Sequence, residues 1–370
     1  MRLTSFVAIG FSLAGTVLFS SWVHADSVRN DVPPPNFKKI YAQPSSMWPA
    51  PFLKKEVTDY IELGALKKQP PQDTVERQKA KLGKLLFEDP VLSASSQISC
   101  QSCHNQELAW GDGLRTSFGH DRKKGKRNAP SLFSASYRKT LFWDGRAKDL
   151  PSQAMGPLTA SDEMANQNMN TLVSKLAENP DYVAQFRKIY RSDQPIQLQW
   201  ILDSLRAFQT TLEKTTRFDR FLTGDLKQMT EEELHGLHIF RTKAGCANCH
   251  HGPLLTDEKF HNIGLSYYGR KFEDLGRYHV TGDPLDAGKF RTPSLRHVKK
   301  TGPYMHNGLF PSIIGVVNIY AAGGGRVSPN RRKGVDDMIF EGASTTSPLI
   351  TEFKLSRKER AALVAFLSAL

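Results

Sequence analysis

The sequence predicts a mainly α-helical fold made of two similar helical domains. Three observations support this prediction. Apolar residues recur mostly at the three- to four-residue spacing of helices, and credible strand runs are few. One order of elements (a helix, a short cysteine motif, a long loop and further helices) occurs twice along the chain. At ~150 residues per domain, a length of 370 residues also corresponds to two domains.

Composition indicates a globular chain. Hydrophobic residues make up 39% and charged residues 24% of the sequence, which allows a large core and excludes a disordered chain. Four cysteines in 370 residues are too few for a disulfide-dense secreted scaffold. Outside the N-terminus no apolar run is long enough to span a membrane, so we expect no stable membrane insertion.

The N-terminus has the pattern of an export signal. Arg2 precedes an apolar stretch over residues 6–19, and residues 23–25 end in the small side chains that signal peptidase accepts. We therefore expect a signal peptide over residues 1–25, cleavage after Ala25 and a periplasmic protein. An uncleaved N-terminal anchor is the alternative.

Proline and helical periodicity divide the remaining chain. The proline-rich residues 26–70 predict an irregular leader, followed by one domain over residues 71–228 and another over residues 229–370. Helices are predicted at residues 73–87, about 170–190 with a break at Asn179-Pro180, 196–214, 230–242, 312–321 and 356–370. Loops are expected at residues 105–160 and 251–311, with a short hairpin allowed within 251–295.

Local signals place the ends of these helices. The first helix has its leucines on one side and stops where Asp89-Pro90 breaks the pattern. The helix before the second cysteine motif opens with Thr230 and acidic residues, which suit a helix N-terminus. The three glycines at residues 323–325 end the helix predicted at 312–321.

All four cysteines lie in two C-x-x-C-H motifs, the signature of c-type haem attachment. The motifs are Cys100-Gln101-Ser102-Cys103-His104 and Cys246-Ala247-Asn248-Cys249-His250. Two thiols three residues apart can reach the vinyl groups of one porphyrin, and the following histidine can bind its iron as the proximal ligand. We therefore expect two cytochrome c-like domains, each with one covalent haem c. A redox-active cysteine pair or a zinc site is the alternative, and only His251 lies nearby as a further zinc ligand.

Candidates for the opposite side of the first haem follow its motif. His120 lies on a polar loop sixteen residues beyond His104. Glu163 follows Gln153, and a buried carboxyl beside a haem could move a proton between the oxygens of peroxide. Trp143 is a further candidate. A surface histidine, a solvated carboxylate and a core tryptophan are the respective alternatives.

The second haem has candidates of two chemical types. Met305 precedes His306, and Tyr320 lies on the helix predicted at residues 312–321. A methionine ligand raises the haem potential and suits electron transfer, whereas a tyrosine ligand is an oxygen donor. The residues alone leave this choice open.

The chain resembles the bacterial di-haem cytochrome c peroxidases and their MauG-type relatives over about residues 75–370. The matching segments are CQSCHNQELAWGDG, SFGHDRKKGKRNAPSLF, FWDGRAKDLPSQAMGP, RFDRFLTGD, GCANCHHGPLLTD, FRTPSLRHVKKTGPYMHNG and ALVAFLSAL. The resemblance implies an enzyme that reduces hydrogen peroxide at its N-terminal haem with electrons from a small redox protein.

The resemblance also implies roles for single residues. His120 matches the distal histidine that closes the peroxidatic haem in many resting peroxidases, and Trp143 matches the tryptophan between the haems. The positions of the peroxide pocket are Gln153, Pro157 and Glu163, with Glu163 as acid and base. The positions that hold a calcium ion, which prefers oxygen ligands, are Asn128, Thr301 and Pro303.

One position departs from the peroxidase pattern. Fourteen residues beyond His306, where these peroxidases have a methionine ligand, this chain has Tyr320, as in MauG-type proteins. A MauG-type enzyme that oxidises residues of a partner protein is therefore an alternative function, and a non-catalytic di-haem electron carrier is another. If Tyr320 is only structural, Met305 or Met338 would replace it as the ligand.

Basic residues exceed acidic ones, with a net charge of +13. The basic clusters lie at residues 122–127, 296–300, 331–333 and 357–358. An exported haem protein rarely meets nucleic acid, so we expect no such partner. The clusters form either a solvated face or a surface that steers an acidic redox partner. The expected partners are a small cytochrome c, a copper protein or a protein substrate, and a homodimer is expected from the resemblance alone.

Overall fold

A computed structural model describes residues 35–325 and 337–370, and it confirms a mainly helical fold. The helices are α1 (Phe37–Tyr41), α2 (Thr74–Glu88), α3 (Leu150–Thr159), α4 (Met169–Ala177), α5 (Pro180–Tyr190), α6 (Leu198–Gln209), α7 (Arg217–Leu222), α8 (Glu231–Arg241), α9 (Tyr278–Thr281), α10 (Ile313–Ala321), α11 (Asp337–Ser344) and α12 (Arg357–Leu367). In the described part of the chain, no helix combines the length and the apolar character needed to cross a membrane. The expected signal peptide and the basic cluster at residues 331–333 lie outside the described residues.

The helix ends follow the sequence signals. Asp73 caps α2 by accepting a hydrogen bond from the Glu76 backbone N–H, and Thr230 forms a capping box with Glu233 at the start of α8. Asn179 caps α5, so the predicted break between α4 and α5 is confirmed. The allowed hairpin is also confirmed, as β1 (Phe260–His261) pairs antiparallel with β2 (Phe290–Arg291).

The expectation of a loop throughout residues 105–160 is wrong, because α3 occupies Leu150–Thr159. Its sequence contains two prolines and a glycine, which suggested a loop. One proline lies in the first turn, where helices tolerate it, and Pro157 lies close to the end of the helix. Burial of Leu150, Ala154 and Leu158 along one face stabilises the helix. The helices α1, α7, α9 and α11 were not predicted either.

The two largest hydrophobic cores among the described residues are each built on a pair of packed helices. In the first core α2 packs against α6, and in the second α8 packs against α12. Both pairs depend on a glycine. A Cβ atom on Gly83 would lie 1.8 Å from the Ser204 carbonyl oxygen, and one on Gly236 would lie 1.9 Å from the Ala362 carbonyl oxygen. The backbones therefore approach too closely for any side chain at either glycine.

Part of the proline-rich leader belongs to the second core. Phe37 and Tyr41 of α1 are buried there, together with Trp48 and Leu63. The Glu62 carboxylate pairs with the buried guanidinium of Arg241 at the end of α8. Residues 37–63 therefore pack on the helix that precedes the second cysteine motif.

A buried ionic network joins segments from the two halves of the sequence. Arg296 donates to Glu213 at 2.8 Å and to Asp219 at 2.6 Å, and His297 lies 3.1 Å from Glu213. Although burial opposes ionisation, these hydrogen bonds and the Arg296 charge hold the pKa values of Glu213 and Asp219 below their ordinary values. Arg296 and His297 are thus part of the interior, which corrects the basic surface cluster expected at residues 296–300. Lys299 and Lys300 are exposed.

Candidate functional site

The first C-x-x-C-H motif lies in a short 3-10 turn that positions His104. The Nδ1 atom of this imidazole lies 2.9 Å from the Trp110 carbonyl oxygen, so Nδ1 carries the proton and Nε2 keeps its lone pair. Burial lowers the pKa of His104, which keeps the ring neutral. A neutral imidazole with an oriented Nε2 is the form that binds iron.

The second motif repeats this arrangement. It also lies in a 3-10 turn, Cys246–Asn248, and the Nδ1 atom of His250 lies 3.0 Å from the Leu255 carbonyl oxygen. Burial lowers the pKa of His250 to about 4. The same tautomer is therefore fixed at both motifs.

None of the four cysteines, each within the described residues, is paired in a disulfide. Burial raises the pKa values of Cys100 and Cys246 to about 12, and burial also raises those of Cys103 and Cys249. Two thiols beside an oriented neutral imidazole fit a haem group at each motif.

Two loops meet near the first motif. The His120 backbone N–H donates to the Glu163 carbonyl oxygen at 2.8 Å. A Cβ atom on Gly119 would lie 2.1 Å from the Asp162 carbonyl oxygen, so this close contact requires glycine. The His120 side chain remains 26% exposed and lies 3.5 Å from the Asp121 carboxylate. The structure thus brings the loops of His120 and Glu163 together through their backbones.

The Glu163 carboxyl is directed toward the first motif. Burial and the Asp162 charge raise the pKa of Glu163, and Arg146 partly opposes this. The Glu163 charge in turn contributes to the raised pKa of Cys103, which places the carboxylate within electrostatic reach of that thiol. A raised pKa makes the carboxyl a better proton acceptor when ionised, and such a group can act in turn as base and acid.

Helix α3 lies behind this carboxyl and carries the other two predicted pocket residues. Both Gln153 and Pro157 are half-buried on α3. The Pro157 carbonyl oxygen accepts from the Met164 backbone N–H at 3.0 Å, which connects α3 to the loop of Glu163. The Phe142 ring packs on Gly156, where a Cβ atom would lie 2.8 Å from it. Helix α3 therefore lies between the Glu163 loop and the segment that contains Trp143.

Trp143 connects residues from both halves of the sequence. Its Nε1–H donates to the Asn128 carbonyl oxygen at 2.9 Å, and its carbonyl oxygen accepts from the Arg291 backbone N–H at 2.8 Å. The indole meets the His306 ring edge-on with the ring centroids 6.5 Å apart. His306 is buried and stacks on Phe290 at 3.6 Å, and burial lowers its pKa to about 3.

Of the three residues predicted to hold calcium, Asn128 lies at the loop that contains the other two. The Asn128 backbone N–H donates to the His306 carbonyl oxygen at 2.7 Å, and its side-chain amide donates to the Leu114 carbonyl oxygen at 3.0 Å. The Thr301 hydroxyl donates to the Val298 carbonyl oxygen at 3.3 Å, and Pro303 follows in the same loop.

Tyr320 lies on α10 beside the second motif. Burial raises the pKa of its hydroxyl, and the Cys249 and Cys246 thiols contribute to the same shift. The hydroxyl is therefore within electrostatic reach of both thiols. Met338, one of the two alternative ligands, is 51% exposed on α11. This placement favours the tyrosine over Met338.

Two ionic groups near these sites were not anticipated. Arg127, grouped by sequence with a basic surface cluster, instead donates to Asp144 at 2.5 Å and to Asp274 at 2.6 Å. Asp257 and His261 form a hydrogen-bonded pair at 2.7 Å next to Cys249. The four-residue spacing of this pair was the available signal, although the hairpin that aligns it could not be placed beforehand.

Comparison with known proteins finds relatives over most of the chain. Residues 77–227 match the family described as di-haem cytochrome c peroxidase. The chain is 37% identical over 296 residues to the methylamine utilization protein MauG of Methylorubrum extorquens, covering 79% of this chain and 78% of that protein. It is 36% identical over 261 residues to the cytochrome c551 peroxidase of Nitrosomonas europaea, covering 70% of this chain and 76% of that protein. The crystal structure of a MauG-like protein associated with microbial copper homeostasis matches with a TM-score of 0.71 at 32% identity, covering 86% of this chain and 95% of that one.

Proposed function

This chain belongs to the di-haem cytochrome c peroxidase family, and we propose that it reduces hydrogen peroxide at the haem of the first motif. Members of this family use haem, peroxide and a redox partner or a protein substrate, and the chain is such an enzyme. Family membership does not assign the peroxide site to one of the two motifs. One observation supports the first motif, which is the contact between the His120 loop and the Glu163 loop beside Cys103.

At the first site, several side chains of the protein have separate roles. The haem supplies the redox chemistry and the coordination position for peroxide. Glu163 takes a proton from the nearer peroxide oxygen and returns it to the farther one, which leaves as water. Gln153 and Pro157 would line the pocket, and His120 would be an iron ligand that leaves on activation. The partly exposed side chain of His120 suits such a movement.

At the second site the chain would supply both ligands of the haem iron, and the haem would supply electrons to the first site. His250 and Tyr320 are proposed as its two iron ligands, and Trp143 is proposed as the relay to the first site. The Trp143 indole is well placed for this, because its hydrogen bond to Asn128 and its contact with His306 fix it between segments from both halves.

Further parts of the proposal concern attachment and location. The four cysteines would form thioethers with two haem c groups, and Asn128, Thr301 and Pro303 would bind a calcium ion. The two cores would correspond to domains that divide near residue 228, with one haem each. Export to the periplasm, after removal of residues 1–25, would supply the compartment in which c-type haem is attached.

The electron donor is proposed to be a small cytochrome c or copper protein. A second candidate function is MauG-type oxidation of residues in a partner protein, and the position of Tyr320 beside the second motif favours it. The proposals share the first site and differ only in where the electrons come from.

One experiment tests the proposal and separates these candidates. The purified holoprotein is mixed with hydrogen peroxide and reduced cytochrome c, and cytochrome oxidation is followed optically. The proposal predicts two cytochromes oxidised per peroxide, in line with two-electron reduction. Peroxide consumption that occurs only with a protein substrate would instead establish the MauG-type function. No consumption with either donor would overturn the proposal.

A further inference from the structure

A cavity of about 390 Å³ lies at the edge of the second motif. Its wall includes Asn248 of that motif and the Asp257–His261 pair, together with apolar side chains of Val57, Phe260, Leu285 and Leu349. Such a space accommodates a single substituted aromatic ring. The apolar side chains would cover the ring, and the polar groups of the lining would contact its substituent.

The polar side of the cavity is a chain of hydrogen bonds. The His261 Nε2 atom lies 2.7 Å from the Asp257 carboxylate, and the Nδ1 atom lies 3.2 Å from the Ser347 hydroxyl. Asp257 is only 2% exposed, and His261 is 15% exposed. Because a carboxylate can only accept, His261 donates through Nε2, and its Nδ1 is the basic nitrogen. The cavity therefore contains a proton acceptor backed by a buried negative charge.

The same pair lies next to the position where the haem would be attached. The Cys249 sulfur, an Asp257 carboxylate oxygen and a His261 ring nitrogen all lie within 4.8 Å of one another. On the proposed function, this sulfur is bonded to the porphyrin of the second haem. A molecule in the cavity would thus have a proton acceptor and an electron acceptor on adjacent sides.

The lining of the cavity has an excess of acidic groups. Lys259 is paired with Asp59 at 2.7 Å, and Lys289 is paired with Asp286 at 3.0 Å, so both lysines are neutralised. Two further charged residues of the wall, Glu56 and Glu341, are both acidic. Such a lining disfavours anions, so it accepts a neutral phenol in preference to a phenolate or a carboxylate.

We propose that this cavity binds a small phenolic reductant, which serves as an electron donor to the second haem. This inference rests on the proposed function. Each phenol loses its O–H proton to His261, directly or through Ser347, and one electron to the second haem. Two phenols reduce one peroxide according to 2 ArOH + H₂O₂ → 2 ArO• + 2 H₂O, so atoms and electrons balance. The Asp257 carboxylate stabilises the protonated imidazole between the two steps.

Binding is tested first, without turnover. The probe is 4-fluorophenol, and its fluorine NMR line width is measured with the oxidised holoprotein in the absence of peroxide. Thr345→Trp places a large side chain at an exposed position of the cavity wall, and Thr351→Trp is the matched control at an exposed position outside that wall. The proposal predicts broadening with wild type and Thr351→Trp that Thr345→Trp removes. Equal broadening in all three proteins, or none with wild type, would overturn it.

Turnover then tests the role of the pair. Hydroquinone and reduced cytochrome c are compared as donors at saturating peroxide. In Thr345→Trp, kcat/KM for hydroquinone divided by kcat/KM for cytochrome c should fall ~tenfold. A fall of this size corresponds to the loss of one modest binding contact. His261→Phe should keep fluorophenol binding but lower kcat for hydroquinone by ~10²-fold, the size of a lost general base. Unchanged hydroquinone turnover in both variants would overturn the inference. If the wild-type protein is inactive with both donors, the proposed function is refuted, while the binding measurement still stands by itself.

Discussion

The two C-x-x-C-H sites begin alike and differ in what lies opposite them. Both place the imidazole on a 3-10 turn with Nδ1 bonded to a backbone carbonyl oxygen, at Trp110 in the first site and Leu255 in the second. Facing the first motif are two loops, one with the partly exposed His120. Tyr320, beside the second motif, lies on a helix.

This difference indicates how one fold can be used twice for separate tasks. On the proposed function, His120 would leave the iron by a movement of its loop, so the first site would open. Tyr320 lies on helix α10, whose Val317 is part of the second core, so its release would disturb packing and the second site would stay closed.

The largest effect is expected at the first site. Glu163→Gln removes the proton shuttle while keeping the size of the side chain, and peroxide turnover should fall by about 10²–10⁴-fold. Steady-state oxidation of reduced cytochrome c measures it. Asp162→Asn, the neighbouring carboxylate, is the control and should keep most activity. A similar loss in both variants would mean that the effect is only a local change of charge.

The second prediction concerns the stability that the buried ionic network around Arg296 gives to the fold. Arg296→Met leaves the buried Asp219 carboxylate without its arginine and Glu213 with only His297 as an ionic partner, and it should lower the free energy of unfolding by about 3–5 kcal/mol. Urea unfolding followed by circular dichroism measures this change. Lys243→Met removes an exposed ion pair with Glu359 and should cost about 0–1 kcal/mol. Equal losses would contradict the buried character of the network.

Acid should destabilise the second site through Asp257. Burial alone would raise the pKa of this carboxyl, but the hydrogen bond from His261 holds it at about 2, below the ordinary 3.8. A lowered folded pKa adds stability above pH ~4 that is lost as the pH falls toward 2, about 2 kcal/mol in total. In Asp257→Asn, the loss of stability between pH 5 and pH 2 should be smaller by about 2 kcal/mol, as measured by thermal unfolding. An unchanged profile, like that expected for the exposed Asp193→Asn, would refute the assignment.

The smallest expected effect tests which of the two sites receives electrons from the donor protein. Arg357 and Lys358 start α12, beside the Lys243–Glu359 ion pair that precedes the second motif. Changing both to glutamine should lower kcat/KM for an acidic donor by about threefold at low salt, and not at high salt. Lys123 and Lys124, on the exposed loop after His120, provide the matched pair and should have no effect. The reverse pattern would place electron entry at the first site.

The helices and helix ends that could be predicted from the sequence are those set by local signals. The helices before each motif, the break at Asn179-Pro180 and the end of α10 all follow from caps, periodicity and glycine. Helix α3 could not be predicted, because only its buried face offsets two prolines and a glycine in the sequence. The packing of residues 37–63 on the second core was also missed, since proline-rich composition contains no information on long-range contacts.

The candidate site shows the same limit. The motifs and the resemblance suggested His104, His250, Glu163 and Tyr320, and the last two lie within electrostatic reach of motif cysteines. The Asp257–His261 pair had only its four-residue spacing as a signal. The burial of Arg127 and Arg296 depends on segments distant in sequence. Ion pairs of this kind are properties of the folded chain and have no sequence signature.

The central claim, one site that opens and one that stays closed, is tested most directly by the spin state of each haem. Electron paramagnetic resonance is recorded on the oxidised and the half-reduced holoprotein, with and without peroxide. The account predicts that the first haem becomes high-spin and reacts with peroxide, while the second remains low-spin with a spectrum that Tyr320→Met alters. Two low-spin haems in every redox state, both inert to peroxide, would contradict it.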